Sequence, residues 1–213
     1  MMHLYEVGPV MFPPVTGLNI NMMPFVFGNA ASLPRACRHY WPLILACGIG
    51  QAEDGQIGYL SIMETVVAAG TPQRRPGIHT DGHPQAGWGR GAWGRGALAQ
   101  GQRIGGLYMA STVEASCRAW DYGVEEPGEG GDCERWREML EQMPAIYLKA
   151  NMVYWMTDRC PHESLACAVP VTRQWFRVVT HAVDVWYAEH STPNPQGIFP
   201  TGTIVYGNKF RTH

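Results

Sequence analysis

Apolar and polar residues follow one another along this chain in short runs that predict many β-strands and few helices. Each run is rich in β-branched or aromatic residues, and most end close to a glycine or a proline. The runs are 59–67, 78–81, 107–112, 117–122, 146–155, 173–187 and 203–206. The longest of them, 173–187, predicts either two strands or one strand with a bend.

One segment clearly predicts a helix. Asp132 can accept hydrogen bonds from the free backbone N–H groups at a helix start, and Glu134 in the first turn complements the helix dipole. We therefore expect a helix from 132 through 142. By contrast, six prolines in the first 50 residues exclude a long helix there.

These elements predict a single, mainly β domain over residues 1–213. Residues 1–57 are expected to form an extended wrap with a short helical turn near 33–40. Residues 58–187 should form the β core, and 188–213 a C-terminal tail. Many short strands with one clear helix favour a sandwich or a barrel.

The glycine-dense segment 82–106 predicts a long loop. It holds a near-duplication, in which 87–91 and 92–96 both end in Trp-Gly-Arg-Gly. Segments that mix glycine, aromatics and arginine can stack on single-stranded nucleic acid, but two copies make a very short tract. Long loops are more often lids or binding loops, so we expect this one to close over a substrate.

Composition narrows the classes of partner and the compartment. A formal charge of -2 over 213 residues does not favour nucleic acid or an anionic membrane. Six cysteines without a CxxC pair predict buried, reduced thiols. The sequence shows no secretory signal pattern, and its longest apolar run, 41–47, is too short to span a bilayer. We therefore expect a cytoplasmic protein.

Three residues form a candidate metal centre. His79 and Asp81 lie two positions apart on a predicted strand, so their side chains project from the same face. His162 follows a strand late in the chain and is the third candidate ligand. Two histidines and one carboxylate, with open positions on one side, are the ligand set of non-haem Fe(II) oxygenases.

Two arginines follow on the next β-rich run. Arg173 lies 11 residues after His162, and Arg177 shares its strand face by alternation, with Trp175 between them. A planar guanidinium holds a carboxylate through two hydrogen bonds, so either arginine can anchor an organic acid.

This order, His-x-Asp, a distant His and then an Arg, resembles the Fe(II)/2-oxoglutarate-dependent dioxygenases over residues 58–187. The resemblance implies a double-stranded β-helix, a jelly roll of the cupin-like kind, with a few helices. It implies that His79, Asp81 and His162 bind Fe(II) as the catalytic centre, and that Arg173 anchors the distal carboxylate of the co-substrate 2-oxoglutarate. The implied activity is O2-dependent oxidation, typically hydroxylation, of a small organic molecule.

Several alternatives stay open at this stage. Trp175 stands where many members of the family carry a small hydroxyl residue, so Arg177 and Lys149 remain alternative anchors for 2-oxoglutarate. His83 is an additional imidazole without an assigned role.

Two other classes of protein also fit the sequence. The same ligands suit a cupin-like metalloenzyme that uses Zn, Mn or Ni and no 2-oxoglutarate, and the Gly/Trp/Arg loop suits a non-catalytic binding module. The expected partners are a small-molecule substrate and O2, with no nucleic acid and no membrane. A homodimer is left open.

Overall fold

The computed structural model describes residues 2–82 and 94–206, and it is mainly β with largely antiparallel sheets, as predicted. The strands are β1 (Leu4–Pro9), β2 (Asn19–Val26), β3 (Ile57–Val67), β4 (Ala97–Ala99), β5 (Gln102–Ile104), β6 (Leu107–Ser111), β7 (Cys117–Ala119), β8 (Ile146–Tyr147), β9 (Met152–Met156), β10 (His162–Ser164), β11 (Val171–Val179), β12 (Val185–Tyr187) and β13 (Thr203–Val205). The α-helices are α1 (Trp41–Ala46) and α2 (Arg137–Glu141). Short 3-10 helices cover Ala30–Ser32, Arg35–Tyr40, Gln51–Glu53, Glu129–Gly131 and Glu134–Trp136.

Two sheets carry the architecture. The larger has six strands in the order β1-β9-β6-β11-β3-β2, with β11 near its centre. The smaller has the order β10-β7-β8, and His79 extends it through an isolated antiparallel bridge to His162.

The core strands pair as a set of nested hairpins. β3 pairs with β11, His79 with His162 of β10, β6 with β9, and β7 with β8, all antiparallel. Each pair encloses the next one along the chain. Residues 57–179 therefore fold as one long hairpin that passes repeatedly between the two sheets.

Alternation along β11 separates two sides of the large sheet. Phe176 and Val178 pack into an apolar cluster with the N-terminal segment and α1. Trp175 and Val179 belong to a second cluster, which includes residues of both sheets. Arg173 and Arg177 share this second face, so both arginines point between the sheets.

Most of the predicted strands are present. The runs at 59–67, 107–112, 117–122 and 203–206 correspond to β3, β6, β7 and β13, and 173–187 forms two strands, β11 and β12. The run at 146–155 is split into β8 and β9. The predicted strand at 78–81 is reduced to two isolated bridges at one residue, His79, which pairs with His162 of β10 and with Asp132.

Three expectations about local structure need correction. The helix at 132–142 is shorter than predicted and consists of a 3-10 turn followed by α2, although Asp132 Oδ1 does accept a hydrogen bond from the Glu134 amide at 3.0 Å. The N-terminal wrap holds a helical turn at Arg35–Tyr40, as expected, but also supplies both edge strands of the large sheet. Within the predicted loop 82–106, residues 97–104 form a β-hairpin.

The helices of the described ranges are short. None of them has the length and apolar character needed to cross a membrane.

Candidate active site

A cavity of about 40 Å³ lies between the two sheets. Its walls come from the larger sheet, the smaller sheet and the segment before His79. The lining residues are Arg74, Arg75, His79, Met109, Cys117, His162, Ser164, Arg173, Trp175 and Arg177. The cavity therefore gathers both predicted histidine ligands and both predicted arginine anchors.

His79 and His162 face each other across the edge of the small sheet. Each donates its backbone N–H to the carbonyl oxygen of the other at 2.9 Å. Their rings lie with centroids 4.5 Å apart and tilted by 56°. The bridge that replaces the predicted strand is thus sufficient to bring the two imidazoles together.

Backbone carbonyls determine the tautomer of both rings. His79 Nδ1 lies 2.8 Å from the Gly77 carbonyl oxygen, and His162 Nδ1 lies 3.0 Å from the Cys160 carbonyl oxygen. A carbonyl only accepts, so each Nδ1 must carry the proton and donate it. The Nε2 lone pairs are then left for a metal ion, as is usual for histidine ligands.

Burial keeps these imidazoles neutral. It lowers the pKa of His79 well below its ordinary value, and the neighbouring His162 and Arg75 lower it further. Burial also lowers the pKa of His162, although Asp81 acts in the opposite direction. The neutral form is the one that binds metal ions.

Asp81 completes the predicted set. Its side chain is buried, with Oδ2 lying 4.0 Å from His162 Nε2. Oδ1 accepts a hydrogen bond from Arg177 Nη1 at 3.0 Å. The predicted carboxylate therefore lies beside the predicted histidines and is joined to β11 by an ion pair.

The segment that carries His79 and Asp81 is anchored through the residues between and after them. The Thr80 amide donates to the Gly131 carbonyl oxygen and the Gly82 amide to the Asp158 carbonyl oxygen, both at 2.8 Å. These bonds replace the ladder that a regular strand would have supplied.

The donor chemistry of these three residues fits a divalent metal ion, although they are not yet arranged around one. Within residues 2–82 and 94–206, no group of three or more His, Cys, Asp or Glu side chains has the geometry of a formed metal site. His79, Asp81 and His162 are therefore candidate ligands by their chemistry and proximity, with Asp81 Oδ2 4.0 Å from His162 Nε2.

Arg173 is the most deeply buried of the cavity arginines. Only 1% of its surface is exposed, and its Nε donates to Ser111 Oγ at 2.9 Å. Its buried Nη1 has no hydrogen-bond partner among the described residues. A buried guanidinium with an unused donor is suited to an anionic ligand.

The hydroxyl that accompanies Arg173 comes from a neighbouring strand. Ser111 in β6 lies directly opposite Trp175 in the sheet register. Ser111 therefore supplies Arg173 with a hydroxyl contact that sequence spacing did not reveal.

Lys149 is removed from the candidate anchors by its position. It is exposed, does not line the cavity, and pairs with Glu6 at 2.9 Å. His83, together with most of the Trp-Gly-Arg-Gly duplication, lies in 83–93, outside the described residues.

Sequence reasoning missed two arginines of the cavity, Arg74 and Arg75. They form a consecutive pair shortly before His79, and that spacing was the available signal. The Arg74 guanidinium carbon lies 4.3 Å from the centroid of a Trp175 ring, and Arg75 Nη1 donates to the Gly130 carbonyl oxygen at 2.7 Å.

Comparison of the chain with protein-family models, curated proteins and solved structures gives no significant match. The site is therefore interpreted from its own geometry.

Proposed function

We propose that this protein is a non-haem Fe(II)/2-oxoglutarate-dependent oxygenase that oxidises, typically by hydroxylation, a small organic molecule. The observation that carries the proposal is that His79, His162 and the buried Arg173 line one cavity. Asp81 lies beside it, with Oδ2 4.0 Å from His162 Nε2. Residues of the predicted types, from distant parts of the chain, thus lie in or beside the same cavity, which supports the proposal.

The fold we propose for this chemistry is a double-stranded β-helix. Its eight strands alternate between two sheets, and the first pairs with the last, the second with the seventh, and so inward. The nested pairing of β3 with β11, His79 with β10, β6 with β9 and β7 with β8 supports this assignment. The second element is only one bridge long, which makes it the least regular of the eight.

In this proposal His79, His162 and Asp81 would hold Fe(II), and Arg173 would hold the distal carboxylate of 2-oxoglutarate. Bound together, Fe(II) and 2-oxoglutarate supply O2 activation coupled to the conversion of 2-oxoglutarate to succinate. The backbone carbonyls of Gly77 and Cys160 fix the proton of each ring on Nδ1, so both Nε2 atoms would be available to bind the ion. Arg177 holds Asp81 in place through their ion pair.

The small cavity between the sheets favours a small-molecule substrate. A volume of about 40 Å³ has room for a compact organic molecule only after local movement. Three of its lining side chains, Met109, Cys117 and Trp175, are apolar and would limit the access of water to the reacting groups.

Anaerobic titration tests the metal centre. We expect Fe(II) plus 2-oxoglutarate to produce a weak visible absorption band, and O2 to yield succinate. The His79→Ala and His162→Ala variants should lose both signals, whereas His39→Ala, outside the cavity, should retain them. If the wild-type protein gives no band and no succinate, the proposal fails.

Arg173 provides a separate prediction. Arg173→Gln should raise the Kd for 2-oxoglutarate about 10- to 100-fold, because a charge-assisted pair of hydrogen bonds is lost. Ser111→Ala should raise it less, since Ser111 only positions the guanidinium. Calorimetry on the Mn(II)-loaded protein measures both values. An unchanged Kd in Arg173→Gln would remove Arg173 as the anchor.

The same experiments separate the cupin-like alternative. Tight, histidine-dependent binding of Zn, Mn or Ni without any response to 2-oxoglutarate would identify a metalloenzyme of that kind.

A further inference from the structure

The cavity carries more positive charge than one co-substrate requires. Four arginines line it, and its lining within the described residues includes no carboxylate. The adjacent Asp81 pairs with Arg177. Buried charges are costly unless they are paired, so guanidinium groups left over point to an anionic ligand.

Arg74 has no role in binding 2-oxoglutarate or in positioning Asp81 in the proposed site. Its backbone amide lies 3.4 Å from Ser164 Oγ, and its guanidinium stacks on Trp175. The guanidinium forms no ion pair and donates no hydrogen bond to any residue in the described part of the chain. Its donors therefore remain for a ligand.

Trp175 makes this arginine rigid. Two guanidiniums lie close to the Trp175 side chain, with the Arg74 carbon at 4.3 Å and the Arg177 carbon at 5.3 Å from a ring centroid. Stacking on an indole fixes the plane of a guanidinium, which lowers the entropy lost when it binds a planar oxyanion.

The electrostatic surroundings of Arg74 also favour an anionic ligand. Burial lowers its pKa to about 10, and the nearby Arg177 also contributes. The group stays protonated at neutral pH. Two arginines, Arg177 and Arg173, act on it against one carboxylate, Asp81, so the positive charge there is only partly compensated. An arriving anion would supply that compensation.

We propose that Arg74, stacked on Trp175, forms a second anion-binding subsite that recognises an oxyanion group of the primary substrate. The substrate class is then a small organic acid, or a small phosphorylated molecule with the same charge chemistry. This inference rests on the proposed function in one respect, namely that Arg173 is reserved for 2-oxoglutarate.

Calorimetry with simple probes tests the subsite without turnover. We expect propionate and benzoate to bind the metal-free protein, and their neutral amides to bind at least 10-fold more weakly. Inorganic phosphate is the second arm and distinguishes a phosphate-selective subsite from a carboxylate-selective one. Binding should weaken as ionic strength rises, since it depends on charge.

Matched variants locate the binding. Arg74→Gln should weaken probe binding at least 10-fold while the Kd for 2-oxoglutarate in the Mn(II)-loaded protein stays within about twofold. Arg173→Gln should instead weaken 2-oxoglutarate binding and leave the affinity for the probes within about twofold. Arg35→Gln removes the same charge from an exposed surface position and should change neither. Arg74→Lys keeps the positive charge but loses the planar guanidinium, so it should bind the probes with intermediate affinity. It replaces Arg74→Gln in this test if that variant does not fold.

The outcomes separate the two proposals. Loss of probe binding in Arg173→Gln but not in Arg74→Gln or Arg74→Lys means a single anion site and overturns the subsite. Absence of binding by propionate, benzoate and phosphate in the wild-type protein also overturns it. Arg74-dependent probe binding without any 2-oxoglutarate response would keep the subsite and remove the oxygenase.

Discussion

Single backbone groups arrange the candidate site. The carbonyl oxygens of Gly77 and Cys160 each accept a hydrogen bond from Nδ1 of one histidine ring, which leaves the opposite nitrogen, Nε2, without a proton. The Gly131 carbonyl oxygen holds Thr80, the residue between His79 and Asp81. The positions of the predicted ligands therefore depend on residues that carry no chemistry themselves.

Gly131 gives a prediction at this scale. Its φ is +78°, and a Cβ there would collide with the Thr80 carbonyl oxygen. Gly131→Ala should therefore displace the segment that carries His79 and Asp81, and weaken Mn(II) binding at least 10-fold.

Gly101 is the matched control for this substitution. Its φ is +77°, but open space surrounds the position. Gly101→Ala should cost only the backbone strain of about 1 kcal/mol and leave Mn(II) affinity unchanged. Urea unfolding and Mn(II) calorimetry measure both effects. Equal losses of Mn(II) affinity in the two variants would contradict the role of Gly131.

Between elements, one buried carboxylate joins the N-terminal segment to the large sheet. Glu64 in β3 accepts hydrogen bonds from the amides of Thr16 and Leu18 at 2.7 and 2.8 Å. Its other oxygen accepts from the Tyr40 hydroxyl at 2.6 Å and from Gln174 Nε2 at 3.2 Å. The Glu64 carboxylate therefore joins four elements, namely the segment before β2, the 3-10 turn at Arg35–Tyr40, β3 and β11.

Glu64→Gln should lower the free energy of unfolding by about 2 kcal/mol near pH 7, because an amide cannot accept all these bonds. Burial raises the pKa of Glu64, but the hydrogen bonds from Tyr40, Leu18 and Thr16 outweigh it, so its pKa lies below the ordinary 4.5. A lowered pKa stabilises the fold above pH 4.5, and this contribution disappears as the pH falls through the folded-state pKa.

The difference between wild type and Glu64→Gln should therefore shrink below pH 4.5 in urea unfolding series. Glu189→Gln, at an exposed position, is the control and should match wild type throughout. A difference that stays constant down to pH 3 would exclude the ionised form of Glu64 as the stabilising species.

At the scale of the whole molecule, the core hides every thiol. All six cysteines are free and buried, as the sequence predicted. Burial raises the pKa of Cys117 to about 12 and that of Cys133 to about 11. Such thiols are both inaccessible and protonated at neutral pH.

A thiol reagent should therefore react with the native protein only on the timescale of unfolding, and with six equivalents in guanidinium chloride. An Ala36→Cys variant, at an exposed position, should add one rapidly reacting equivalent to the native protein. Rapid labelling of the unmodified native chain would show that the core opens.

The sequence predicted much of the fold where the pattern is local. The β-rich runs of β3, β6 and β11 were recognisable because alternation and turn residues act over a few positions. The strand at 78–81 and the full helix at 132–142 were wrong in extent. Their ends depend on which neighbours they meet, as the bridge between His79 and His162 illustrates.

The candidate site also has features that the sequence predicts and features that depend on the fold. Residue types, their order and the shared face of Arg173 and Arg177 could be predicted, because side chains alternate along a strand. Ser111 could not, since its hydrogen bond to Arg173 joins neighbouring strands that are distant in sequence. For Arg74 and Arg75 the only signal was a consecutive pair shortly before His79, and their place in the cavity depends on the fold.

By itself, the sequence determined a mainly β protein with candidate ligands at 79, 81 and 162 and two arginines on one strand face. Only the tertiary structure decided that Asp81 meets Arg177, 96 positions away, that Lys149 lies outside the cavity, and that Arg74 stacks on Trp175. The physical reason is the distance along the chain over which each kind of interaction acts. Backbone geometry and alternation act between near neighbours, whereas the cavity forms from pairings between strands that meet only when the nested hairpin closes.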